Sequence, residues 1–184
     1  MKIVLDTSVL IYLVYPSAPA PNDPSTSVPV SHCQERIEGL LEDLSKMDAQ
    51  LIIPTPVLSE LLIRAHDRQA EILAILTNRR AVTIAAFDMM AAVENATFRR
   101  NKGLSSAGRS ETKKEVSFDL QILAIARAQQ ADRILSDDKS LRERAKKAGF
   151  TVVGIAEIPV PDSKRQIAMA LPSVGVRNSP DEDG

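Results

Sequence analysis

Short apolar runs alternate with longer stretches of helical periodicity along most of this chain. Lys2–Leu5 reads as a buried strand, and Asp6–Val14 as the helix it feeds. The pattern breaks between Tyr15 and Ser31, where Pro16, Pro19, Pro21, Pro24 and Pro29 lie among Ser, Thr and Ala. Proline fixes φ and removes a backbone donor, so this stretch is expected as a loop or partly disordered insert. Helical spacing returns at about Glu35, through Ile37, Leu40, Leu41 and Leu44. Leu51–Ile53 is a second strand. Thr55 then reads as an N-cap with Pro56 at the first helical position, and Val57, Leu58, Leu61 and Leu62 as the buried face.

Arg68–Leu76 predicts another helix, Ala81–Ala85 a strand, and Phe87–Arg99 a helix with Asp88 in its acidic first turn. Asn101–Glu115 lacks apolar periodicity and holds Gly103 and Gly108, so it reads as a loop. Ser117 can cap the next helix, which runs to about Gln130. Arg133–Leu135 predicts a strand, Lys139–Ala148 a helix ended by Gly149, and Thr151–Val153 a strand. Strands alternating with helices imply βαβ units. The expected fold is α/β, a three-layer α/β/α sandwich around a mainly parallel sheet. Residues 1–158 form the expected domain, with the Pro-rich insert at 15–34. The stretch 159–184, punctuated by Pro159, Pro161, Pro172 and Pro180, is expected as an extended or disordered tail.

Composition narrows the function classes. The chain has 184 residues, enough for one real core. Its one cysteine, Cys33, excludes an internal disulfide and argues against structural zinc. No run approaches the roughly 20 apolar residues of a membrane span. Met1–Lys2 leads straight into a strand, without a signal peptide's apolar region. A cytoplasmic protein with no membrane partner is expected. Net charge is −1, so any attraction to nucleic acid must be local. Arg99, Arg100, Lys102, Arg109, Lys113 and Lys114 form a basic stretch relieved only by Glu111. It reads either as a solvated loop or as an RNA-binding rim that holds phosphates. Aromatics are only 3% and Trp is absent, so a nucleic acid would be gripped by its backbone rather than by base stacking.

Four carboxylates carry the candidate chemistry. Asp6 follows the first strand, Glu60 lies one turn into the helix after the second, Asp119 opens the apolar-periodic stretch Phe118–Ala128, and Asp138 ends the run from Ile134. Ligand sites in open α/β sheets lie at the carboxyl ends of the strands. Each acid also has a structural explanation. Asp6, Asp137 and Asp138 can be turn or cap residues, Glu60 can pair with Arg64 at i+4, and Asp119 suits a helix first turn. What those explanations leave aside is the joint placement at one sheet edge. Carboxylates brought together repel, and a hard divalent cation such as Mg²⁺ or Mn²⁺ relieves the repulsion.

At these residues the chain resembles PIN-domain nucleases. Ile3–Ile11, with Asp6 followed by Thr7 and Ser8, is similar to the family's opening motif. Thr55–Leu61 resembles the second motif through Glu60, Phe118–Ala126 the third through Asp119, and Ile134–Asp138 the fourth, a strand ending in Ser136-x-Asp138. The resemblance spans most of residues 2–153, in order. It implies a metal-dependent endoribonuclease that uses Mg²⁺ or Mn²⁺ to cleave single-stranded RNA. It also implies a homodimer and, for VapC-like members, a toxin countered by an antitoxin protein. Asp6, Glu60, Asp119 and Asp138 carry over as catalytic residues, with Asp6, Asp119 and Asp138 as metal ligands. Thr7 and Ser136 are expected to hold carboxylates or water in place. The chain departs from the fourth motif at Ser140 and Leu141, where a second aspartate and a phenylalanine are common, which leaves Asp137 as a substitute.

Other chemistries have little support. Only His32 and His66 exist, Cys33 and His32 are adjacent in the insert, and no phosphate-cradling glycine motif is present. A receiver domain would need an acceptor aspartate directly after the third strand, where Ala86 and Phe87 stand. The rival from another class is a non-catalytic PIN-like module that binds RNA or protein on the same surface.

Overall fold

The structure is a computed structural model that describes residues 1–23, 26–108 and 111–162. Expectations for Pro24, Arg109 and the tail beyond Asp162 lie outside the described residues. Five strands form one parallel sheet: β1 (Lys2–Leu5), β2 (Gln50–Pro54), β3 (Val82–Ala85), β4 (Arg133–Leu135) and β5 (Thr151–Val153). Their order is β3-β2-β1-β4-β5. Consecutive strand residues point to opposite faces, yet Val4, Leu5, Leu51, Ile52, Ile53 and Ile134 are all fully or almost fully buried. Both faces of the sheet are therefore covered, as in a three-layer α/β/α sandwich.

Between β1 and β2 lie α1 (Thr7–Val14) and α2 (Cys33–Lys46). Between β2 and β3 lie α3 (Thr55–Ala65) and α4 (Gln69–Thr77). The return to β4 carries α5 (Met89–Arg100), the short α6 (Lys102–Ser105) and α7 (Lys113–Ala128), and α8 (Lys139–Lys147) joins β4 to β5. From β1 the chain moves outward on one side to β3, then crosses back to build β4 and β5 on the other. The order thus reverses between β1 and β4, and such a switch point opens a crevice at the strands' carboxyl ends. Asp6 and Ser136–Asp138 follow those two strands directly. Asp6 N–H donates to the Leu135 carbonyl at 3.0 Å, which ties the two strand ends together.

Three element boundaries differ from expectation. α3 begins at Thr55, after an extended Pro54, with Pro56 in its first turn. Thr55 Oγ1 is free of capping duty and accepts from Phe87 N–H at 3.2 Å. Asp88 lies just before α5 as its N-cap, accepting from Ala91 N–H. Asn101–Glu115 is not a loop throughout. It contains α6, and α7 starts at Lys113, about one and a half turns before the expected Phe118. The cap of α7 is Thr112, in a reciprocal capping box with Glu115, so Ser117 lies inside the helix. Asp119 is therefore the seventh residue of its helix, beyond the first turn, and dipole relief does not explain it.

The Pro-rich insert is more ordered than a free loop. Asn22 and Pro29 form an antiparallel bridge, and Tyr12 Oη donates to the Pro19 carbonyl at 3.0 Å. After β5, residues 158–162 return across α2. Arg36 donates to the carbonyls of Ala156 and Ile158, and Pro161 packs over Gly39, where a Cβ would come within 2.7 Å of its Cγ.

Candidate active site

Asp6, Glu60, Asp119 and Asp138 all line one cavity of about 680 Å³. Four different segments supply them. Asp6 is the N-cap of α1 and Asp138 the N-cap of α8, so both stand at helix N-termini where negative charge is favoured. Glu60 comes from α3 and Asp119 from α7.

The hydrogen bonds on these acids divide their oxygens. Asp6 Oδ2 accepts from Ser8 Oγ at 2.7 Å, Ser136 Oγ at 2.9 Å and Ser8 N–H at 3.4 Å. Asp138 Oδ1 accepts from Leu141 N–H at 2.8 Å. Asp119 Oδ2 accepts from Arg144 Nη1 at 2.6 Å. Among the described residues no donor meets Asp138 Oδ2 or Asp119 Oδ1, and Asp6 Oδ1 has no hydrogen bond of normal geometry, although the nearby Thr7 N–H lowers the Asp6 carboxyl. Each aspartate thus has one oxygen pinned and one left over. Glu60 differs: Oε2 accepts from Thr7 Oγ1 and Oε1 from Arg64 Nη2, both at 2.7 Å.

Electrostatics follow from burial. Asp6 is 6% exposed and, among the described residues, has no cationic partner. Desolvation pushes its carboxyl above the usual range, the serine hydroxyls oppose the rise, and Asp138 adds to it. Asp119 is pushed up to about 7 by burial; Arg144 lowers it, while Asp138, Asp6 and Glu111 raise it. These two aspartates hold more negative charge than their protein surroundings neutralise.

An oxygen-only donor set of this kind suits a hard divalent cation. Among the described residues, however, no three such side chains are drawn close enough to close around one ion. Mg²⁺ commonly keeps several waters and takes one or two carboxylates directly, so the donor chemistry fits without a closed protein cage.

The other expected residues separate clearly. Thr7 holds Glu60, and Ser136 bridges Asp6 to the Asp138 N–H, which donates to Ser136 Oγ at 3.0 Å. Asp137 does not line the cavity. It faces the turn after β5, accepting from Ile155 N–H at 3.0 Å, and its buried Oδ2 has no partner among the described residues. It is therefore not positioned as a substitute ligand. Among the described residues of the basic stretch, only Lys114 lines the cavity. Arg99 instead bonds Ser117 and Arg100 bonds the Ala96 carbonyl, while Lys102 and Lys113 are exposed away from it.

Three features in and behind the cavity wall were not anticipated. Ser8 Oγ donates to Asp6 and accepts from Asp137 N–H. Glu111 lines the cavity, and its only signal in the sequence is that it interrupts the basic run. Arg144 is 6% exposed and binds both Glu111 and Asp119. Its signal was its spacing: Leu141, Arg144 and Ala145 form the buried stripe of α8, and an arginine in such a stripe needs partners.

The PIN-domain family model matches residues 3–156. The chain belongs to the PIN-domain family. Chains from three solved complexes share its fold, each covering 84% of this protein and 98% of its own length. They come from VapBC2 of Rickettsia felis bound to a DNA fragment from its promoter (16% identity, TM-score 0.55), DNA-bound VapBC of Salmonella typhimurium (16%, 0.52) and VapBC-1 of nontypeable Haemophilus influenzae (14%, 0.52). A comparison with curated proteins finds no match. Among the described residues, no helix of this PIN-domain protein is long and apolar enough to cross a membrane.

Proposed function

We propose that this PIN-domain protein is a divalent-metal-dependent endoribonuclease that cleaves single-stranded RNA, with Asp6, Asp119 and Asp138 holding Mg²⁺ or Mn²⁺. One observation carries the reading: three aspartates line one cavity, and each keeps one oxygen without a well-formed hydrogen bond from the described residues. When bound, the cation supplies an acidified water and a counter-charge for the phosphate undergoing attack. The chain's own groups do the rest. Ser8 and Ser136 fix the Asp6 carboxylate, and the Leu141 N–H fixes that of Asp138. Glu60, with both oxygens engaged, acts outside the direct ligand set; Thr7 orients it to accept a proton from the attacking water. Arg64 and Lys114, on the same cavity, bind the phosphates flanking the cleaved bond. In-line attack leaves a 5′-phosphate and a 3′-hydroxyl.

The partners follow from the same surface. An antitoxin protein would block the acidic cavity with a lysine or arginine. A homodimer would use the exposed apolar side chains at the start of α5, where Met89, Met90 and Val93 are each more than half exposed. A second reading, a non-catalytic binding module, is favoured by the Glu60–Arg64 and Asp119–Arg144 pairs, which already give two acids a cation. Cleavage of a generic single-stranded RNA with added Mg²⁺ or Mn²⁺ decides between them. The nuclease reading expects cleavage by the wild type and none by folded Asp6→Asn and Asp119→Asn variants. Full activity in both variants removes this mechanism. RNA binding without cleavage at any divalent concentration favours the module.

A further inference from the structure

We infer that Arg144 sets the ion selectivity of this site by holding Asp119 to one available oxygen, so that small octahedral cations are preferred over Ca²⁺. The inference rests on the metal reading above and concerns a residue that the reading does not use. Arg144 lies on α8, buried to 6% exposure, and every arm of its guanidinium is engaged. Nε donates to the Leu104 carbonyl at 2.9 Å, and Nη2 to Glu111 at 3.0 and 3.2 Å and to the Ser106 carbonyl at 3.5 Å. Nη1 is shared between Glu111 at 3.0 Å and Asp119 Oδ2 at 2.6 Å. A planar fork with this many fixed acceptors cannot turn away when an ion arrives. It is anchored by Leu104, Ser106 and Glu111 independently of Asp119.

The consequence is a matter of coordination number. Ca²⁺ takes six to eight oxygens and readily uses both oxygens of a carboxylate, whereas Mg²⁺ requires near-octahedral geometry with single oxygens and retained waters. With Oδ2 held in a charged hydrogen bond to Arg144, Asp119 presents Oδ1 as its unencumbered oxygen, and two-oxygen binding is disfavoured. Ser8 and Ser136 impose the same restriction on Asp6, and Leu141 N–H on Asp138. Of these restraints Arg144 alone is charged and contributes nothing to the cavity lining, so it is a positioning residue rather than a catalytic one.

The test is calorimetric titration of the full chain with Mg²⁺ and, separately, with Ca²⁺. Compared are the wild type, Arg144→Met, Glu111→Gln and the double variant R144M/E111Q, which leaves no unpaired Glu111 charge should the single arginine variant fail to fold. The readout is the ratio of the two affinities. Loss of charge or general loosening alters both ions together, so the ratio isolates geometry. The wild type should prefer Mg²⁺, and R144M or R144M/E111Q should narrow that preference by about tenfold, the lower end of what outer-shell partners contribute to metal affinity. E111Q alone should leave the ratio unchanged. An unchanged ratio in a folded Arg144 variant, or equal narrowing by E111Q, overturns the inference while leaving the metal site intact. A wild type that binds neither ion sinks the metal reading itself, and the inference with it.

Discussion

Replacing Asp119 by Asn should stabilise the metal-free protein, and the gain should grow with pH. Asp119 has an ordinary carboxyl value of 3.8 when unfolded and about 7 in the fold, chiefly because it is desolvated. Between those values the native state binds a proton that the unfolded chain has lost. Stability associated with that proton is full below pH 3.8 and disappears as pH rises through about 7. The difference corresponds to at most about 4 kcal/mol at alkaline pH. Asp119 is 14% exposed at its side chain, so solvent screening trims this only modestly. Asn mimics the neutral acid in shape and cannot ionise. In EDTA at pH 8.5, Asp119→Asn should therefore melt about 5–15 °C above the wild type, and at pH 5, where only about 1.6 kcal/mol of the difference has developed, by less than half as much. The assay is paired thermal melts at both pH values. Adding Mg²⁺ at about a hundred times its Kd should return about 2.7 kcal/mol to the wild type and nothing to the variant. A variant no more stable than wild type at pH 8.5, or a difference equal at both pH values, would refute the claim that this carboxylate is held at a cost for the sake of a ligand.

Ser136→Ala removes a hydroxyl that donates to Asp6 and accepts from Asp138 N–H, so the Asp6 carboxyl should rise further and the pH midpoint of metal binding should move upward; a midpoint that stays put contradicts this. Lys114→Ala and Arg64→Ala should weaken RNA binding while leaving Mg²⁺ affinity in place, each lowering the salt dependence of RNA binding by about one charge, whereas Arg133→Ala, away from the cavity, should not. Gly39→Ala brings a Cβ to 2.7 Å from Pro161, which should displace the 158–162 segment and quicken amide exchange at Ile158, although the helix itself gains up to about 1 kcal/mol. Arg80→Ala breaks only a 3.7 Å pair between two largely exposed side chains, Arg80 and Asp48, and denaturation curves should not register it.

Local pattern determined much of this protein. The runs ending at Leu5, Ile53, Ala85, Leu135 and Val153 are short and largely apolar, too short for helices and placed between helical stretches, which suits buried parallel strands. The acids at strand ends were legible for the same reason, since Asp6 and Asp138 act where the backbone changes from strand to helix. The basic run was misleading, because charge along a sequence does not say which way a side chain turns: Lys114 reaches the cavity and Arg99 bonds Ser117 instead. The start of α7 was hidden because its first turn, Lys113–Glu115, is polar and capped by Thr112 rather than marked by apolar spacing. Tertiary structure alone decided that β1 and β4 are neighbours, since strand order depends on long-range packing and not on local propensity. It also decided which oxygen of each aspartate is taken by a serine, an amide or Arg144. Those partners lie up to 130 residues away, and a hydrogen bond over that separation exists only once the whole sheet has assembled.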